Sequence, residues 1–148
     1  MRVLALDIGE KRVGVAFADT AINVAMPLKV MPAPEVEGVT CTFRRLIEDY
    51  EPELLISGLP LSLSGERGRQ ATRVETVARH VAETVGLPLE FVDERLSSTQ
   101  AKRIMHEQGM TEREMRGKLD SVAASIFLQS WLDRQSILAS EDESSEDE

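Results

Sequence analysis

Residues 3–19 read "VLALDIGEKRVGVAFAD": two strand-like apolar runs on either side of a short link, "GEK", with one carboxylate, Asp7, near the end of the first run. Such runs joined by a short glycine-containing link predict an antiparallel hairpin. Asp7 interrupts that pattern. A charge buried alone in an apolar interior is strongly disfavoured and tends to neutralise itself. Asp7 must therefore sit at a strand end, find a partner or bind a cation. Taken alone, it reads equally well as a residue capping the following turn.

Outward from the hairpin, short β-branched runs alternate with helical patterns, the signature of an α/β layer fold. A third strand is expected near "NVAMPLKV", 23–30. In 39–51, Val39, Phe43, Leu46, Ile47 and Tyr50 recur at near-helical spacing, and Pro52 stops that helix. The run "ELLISGLP", 53–60, is almost wholly apolar and predicts a buried strand. Ala71, Val74, Val77, Ala78, Val81 and Val85 predict a long amphipathic helix over 65–86, ended by Gly86 and Pro88. "PLEFVDE", 88–94, supplies a fifth strand. "SSTQAKRIMHEQG", 97–109, opens a helix with a Ser97/Gln100 capping-box pattern, and a last helix is expected from about 114 to 135. This is the element order of a ribonuclease H-like fold: a mixed five-stranded sheet flanked by helices.

The 148 residues suit one domain with a substantial core, taken as 1–138. The single cysteine, Cys41, forms no intramolecular disulfide and is expected as a small core residue. The N-terminus runs straight into the first strand without a leader-like segment, and no apolar stretch approaches the roughly 20 residues of a membrane span. A cytoplasmic protein without membrane insertion is the expectation. The net charge of −9 misleads about nucleic acid. Of 26 acids, six fall in the last eight residues, "EDESSEDE", leaving 20 against 17 bases. The body is nearly balanced, and 139–148 reads as a disordered acidic tail.

Acids at structurally awkward positions mark the candidate chemistry. Asp93 and Glu94 follow the apolar run "LEFV", so they emerge at the carboxyl end of the fifth strand, where ligand groups of open α/β sheets gather. Asp120 shares the spacing of Ala123, Ala124, Phe127 and Trp131, the stripe expected to face the sheet. Singly, Asp93 or Glu94 reads as a surface charge beside Arg95, and Asp120 as an acid favouring a helix N-terminus. Converging, the three acids repel one another, and divalent cations offset that repulsion. Oxygen donors favour Mg2+ or Mn2+ over zinc, and His80 and His106 are too isolated for a zinc site. Such a cluster suits two-metal phosphoryl chemistry. Lys11, Arg12, Arg67, Arg69, Arg73 and Arg95 are the candidate nucleic-acid contacts. Arg69 and Arg73 share a helix face and are placed to grip adjacent phosphates.

Four blocks, "DIGEKRVGVAFAD", "SGLPLSLSGERGRQA", "DERLSSTQA" and "KLDSVAASIFLQSWLD", resemble in order and spacing the signature blocks of the YqgF/RuvX family of ribonuclease H-like nucleases. The likeness spans about residues 2–135. It implies a cytoplasmic nuclease linked to maturation of the 5′ end of precursor 16S ribosomal RNA, in a family also described as Holliday junction resolvases. Carried over residue by residue, the family's acids fall on Asp7, on Glu94 with Asp93 beside it, and on Asp120. The acidic tail lies outside the likeness. Three other readings stay open at this point: a resolvase of four-way DNA junctions, a nucleotide-binding domain related to sugar kinases and actin, and a non-catalytic assembly factor. The sequence does not separate RNA from junction DNA, Asp93 from Glu94, or monomer from dimer.

Overall fold

The hairpin forms where the alternation predicts it: β1 (Arg2–Ile8) pairs antiparallel with β2 (Arg12–Asp19), and Asp7 stands opposite Gly14. Gly9 closes the turn by donating its amide to the Arg12 carbonyl oxygen at 2.9 Å. β3 (Val24–Pro32) adds the third antiparallel strand, with a bulge where Val15 and Ala16 meet it. The computed structural model describes residues 1–60, 68–94 and 97–146, apart from the side chains of 97–99 and 142–146. Arg67, Arg95, the loop 61–67 and the Ser97 capping side chain lie outside the described residues.

After the meander come α1 (Ala33–Glu37), α2 (Cys41–Tyr50), β4 (Leu54–Leu59), α3 (Arg69–Val85), β5 (Leu89–Asp93), α4 (Ser97–Glu107), α5 (Glu112–Arg116) and α6 (Leu119–Glu146). β4 and β5 run parallel to β1, giving the sheet order β3-β2-β1-β4-β5. Alternation along β1 divides the interior in two. Leu4, Leu6 and Ile8 point to the side covered by α1, α2 and α3, with Phe43, Val74 and Val81. Val3 and Ala5 point to the other side, under Ala124, Phe127, Leu128 and Trp131 of α6. Asp7 continues this second row, so its carboxylate lies beneath the start of α6.

Four details depart from the sequence reading. The periodic pattern gave no sign of α1, a single short turn entered through Pro32 and Pro34. Cys41 is exposed, because Phe43 and Leu46 take the buried face of α2. The last helix is split: α5 is capped at its start by Thr111, whose hydroxyl oxygen accepts from the Glu114 amide, and at its end by Gly117. This break puts Asp120, expected near a helix start, in the first turn of α6. At its far end α6 runs past Gln135 to Glu146, across much of the segment expected as a disordered tail. No glycine or proline interrupts 119–146. The side chains of 134–141 are exposed, so local propensity rather than packing carries this extension.

Candidate active site

Three backbone features bring the acids together. β1 delivers Asp7 one residue before its end, the parallel pairing of β4 with β5 brings Asp93 beside Leu59, and Glu94 follows. α6 delivers Asp120 from above. Glycines make this convergence possible. A Cβ on Gly14 would overlap the Asp120 carbonyl group, so only glycine lets the first turn of α6 lie so close to β2. A Cβ on Gly58 would overlap the Glu94 carboxylate and crowd the Phe127 ring. Sequence reasoning missed the Gly14 and Gly58 contacts. The only hint was glycine inside strands that otherwise carry bulky residues, a mark of close approach.

The acids share one electrostatic problem. Burial, the Asp7 charge and a hydrogen bond to Asp7 push Glu94 up to about 9, with smaller contributions from Asp93 and Asp120. Burial also raises Asp7 to about 6, partly offset by the hydrogen bond from Glu94, with Asp120 adding to the rise. At neutral pH protonated Glu94 therefore donates to the Asp7 carboxylate. Of the two neighbours, Glu94 rather than exposed Asp93 makes this bond. Asp120 is also raised, by burial, but the Arg12 guanidinium opposes the shift. Arg12 Nε lies 3.4 Å from Asp120 Oδ2, with the arginine side chain 61 % exposed and the aspartate 28 %. A shallow cleft of about 310 Å3 beside Asp120 is lined by Gly9, Glu10, Lys11, Arg12 and Asp120.

The donor set suits a hard divalent cation. It is all oxygen, and the proton shared by Asp7 and Glu94 occupies a place where a cation relieves the same repulsion. Among the described residues, no three His, Cys, Asp or Glu side chains stand as a ready cage, because Asp120 is turned to Arg12. Asp7 and Glu94 form a hydrogen-bonded pair, while Asp120 is paired with Arg12.

The predicted cations divide. Lys11 and Arg12 lie on the turn at the mouth of the site, and Arg69 is exposed at the start of α3. Arg73 is engaged within the protein: it is paired with Glu37 and donates to the Gly9 carbonyl oxygen. Its spacing from Arg69 correctly gave a shared face but not that face's partner, because α1, which carries Glu37, was not foreseen.

A five-stranded mixed sheet of this order, with paired buried carboxylates at one strand end and a third on the covering helix, defines a ribonuclease H-like nuclease domain. Solved structures agree on the fold: RuvC of Thermus thermophilus in complex with a Holliday junction substrate has a TM-score of 0.55 at 15% identity, covering 92% of this chain and 96% of its own. The yeast mitochondrial Holliday junction resolvase Ydc2 gives 0.53 at 15%, covering 90% and 78%. The family model of RuvX, described as Holliday junction resolvase, matches residues 1–134. Among curated relatives, proteins named as candidate pre-16S rRNA nucleases from Anaeromyxobacter sp. (strain Fw109-5) and Roseiflexus sp. (strain RS-1) are 38% and 40% identical. Each alignment covers 90% of this chain, with 97% and 95% of the respective relative. The chain belongs to the RuvX family, a family of nucleases, hydrolases acting on phosphodiester bonds.

Proposed function

We propose that this protein is a divalent-metal-dependent endonuclease of the cytoplasm that processes the 5′ end of precursor 16S rRNA in ribosome biogenesis. The observation that carries the reading is the buried, hydrogen-bonded pair Asp7–Glu94 with Asp120 electrostatically coupled to both. Asp7, Glu94 and Asp120 would hold Mg2+ or Mn2+ and form the catalytic set. When bound, the ions supply an activated water and stabilisation of the leaving oxygen in an in-line displacement. The chain's residues do the rest. Asp7 and Glu94 give up their shared proton, Asp120 exchanges Arg12 for the site, and freed Arg12 with Lys11 meets the phosphate at the mouth of the cleft. Arg69, Arg67 and Arg95 are proposed as contacts along structured nucleic acid, whose backbone binding tolerates a nearly balanced protein when cations are concentrated at one edge.

A second reading, resolution of four-way DNA junctions, is favoured by the family description and by the fold shared with RuvC. Cleavage of a precursor 16S RNA fragment and of a four-way DNA junction, side by side in Mg2+ and in Mn2+, separates the two. Faster, site-specific cutting of the RNA supports rRNA processing. Paired, symmetric nicks in the junction with the RNA untouched overturn it in favour of the resolvase. Binding of both without cleavage in either metal would leave only a non-catalytic assembly role.

A further inference from the structure

The turn between β1 and β2 is fastened from outside the site. Arg73 Nη1 donates to the Gly9 carbonyl oxygen at 3.1 Å, while its Nη2 donates to Glu37 Oε1 in an ion pair. Glu37 ends α1, and Ala33, the first residue of α1, donates its amide to the Lys11 carbonyl oxygen at 2.8 Å. One guanidinium thus joins α3 to the turn directly and to α1, which holds the turn by a second bond. The side chains of Lys11 and Arg12 are exposed, so the backbone of residues 9–12 decides where their charges start. Arg73 is half-buried and its carboxylate partner equally so, which makes this pair stiffer and less screened than an open surface contact. The planar fork of arginine reaches the two acceptors from two separate nitrogens held in fixed geometry, whereas the three donors of an ammonium all radiate from one nitrogen on a shorter side chain.

We propose that Arg73 is a positioning residue for cleavage, holding the β1–β2 turn so that Lys11 and Arg12 face the Asp7–Glu94–Asp120 site, rather than a phosphate contact. The proposal rests on the nuclease reading above and adds a role for α1 and α3. Its strongest discriminator is Glu37. If Arg73 were a phosphate contact restrained by Glu37, removing that acid would free the guanidinium and tighten nucleic-acid binding. If Arg73 positions the turn, Glu37→Ala loosens the clamp and slows cleavage.

The test takes full-length wild type, R73A, R73K and E37A through cleavage kinetics, salt-dependent nucleic-acid binding and amide hydrogen exchange. For R73A the expectation is a fall in kcat of about tenfold or more, since small misplacements of charged groups are costly. The slope of log affinity against log salt stays that of wild type; loss of a phosphate contact would reduce it by about one. R73K, which keeps the charge but loses the fork, fails to restore kcat, and E37A shifts in the same direction as R73A. Exchange at the Gly9 amide rises by about tenfold in R73A, while core amides of β4 stay protected. Tighter binding by E37A, a reduced salt slope in R73A or full rescue by lysine overturns the proposal. Should wild type cut neither RNA nor junction, the nuclease reading falls, and exchange alone decides the clamp: lost Gly9 protection in R73A upholds it and unchanged protection overturns it.

Discussion

Asp7 and Glu94 lie too close and too deep for both to ionise freely, and this has a direct effect on stability. Both carboxyls titrate higher in the folded protein than in the unfolded chain, Asp7 at about 6 and Glu94 at about 9. Protonation therefore favours the fold. The contribution is complete at pH below the ordinary carboxylate range and is lost as pH rises through these two values. Metal-free wild type should lose several degrees of melting temperature between pH 5 and pH 9, and Glu94→Gln should lose less, so the variant gains on wild type as pH rises. Addition of Mg2+ at pH 8 should raise the wild-type melting temperature and leave Glu94→Gln nearly unmoved. Parallel pH curves for the two proteins in calorimetry would count against the shared-proton pair. A second residue-scale expectation concerns Gly58. Its missing Cβ makes room for the Glu94 carboxylate and the Phe127 ring, so Gly58→Ala should cost about 1–3 kcal/mol by overpacking and should slow cleavage further by displacing Glu94. Urea unfolding and a cleavage assay check the two parts; a variant as stable and active as wild type would contradict the close approach.

At the scale of elements, what the sequence revealed depended on whether the signal was local. The alternation in 3–19, the apolar run 53–60 and the helical spacing in 71–85 each lie within one element, and β1, β2, β4 and α3 follow them. The place of Asp120 on the sheet-facing stripe was legible for the same reason, through its spacing from Phe127 and Trp131, a spacing that left an ordinary helix-N-terminal acid equally open. Contacts between elements were not legible. A glycine within β2 hints at a close approach but does not say that the first turn of α6 makes it, and Arg73 looked like a free cation because its partner sits on a helix of five residues with no periodicity to read. Gly14→Ala is the corresponding test of the α6–β2 approach. The added methyl should push Asp120 away from Asp7, lower stability by roughly 1–3 kcal/mol and reduce activity more than stability alone explains. Retained activity in a folded Gly14→Ala protein would show that the approach has slack.

For the whole molecule, charge is distributed unevenly. Lys11 and Arg12 lie beside Asp120 and exposed Arg69 opens α3, while in the sequence six acids fall in the last eight residues. No helix among the described residues is long and apolar enough to cross a membrane. Removing residues 139–148 takes away no buried side chain among those described and changes the net charge from −9 to −3. The truncated protein should melt within about 2 °C of wild type, because surface changes are nearly neutral. It should also bind nucleic acid more tightly at low salt, with the gain fading as salt screens the tail. Equal affinity at every salt concentration would show that the tail's field does not reach the binding edge.

These scales meet in one proposal: partly buried acids from β1, the end of β5 and the start of α6 form a metal-dependent phosphodiester-cleaving centre. Its most direct measurement is the single-turnover rate of precursor 16S RNA cleavage in Mg2+ and Mn2+ by Asp7→Asn against wild type, with both proteins shown to be folded by circular dichroism. Asparagine keeps the size of the side chain and removes its charge. The expected rate is lower by about a hundredfold or more, the scale of several kcal/mol of lost metal-assisted stabilisation. A folded Asp7→Asn protein that cleaves as fast as wild type would contradict it.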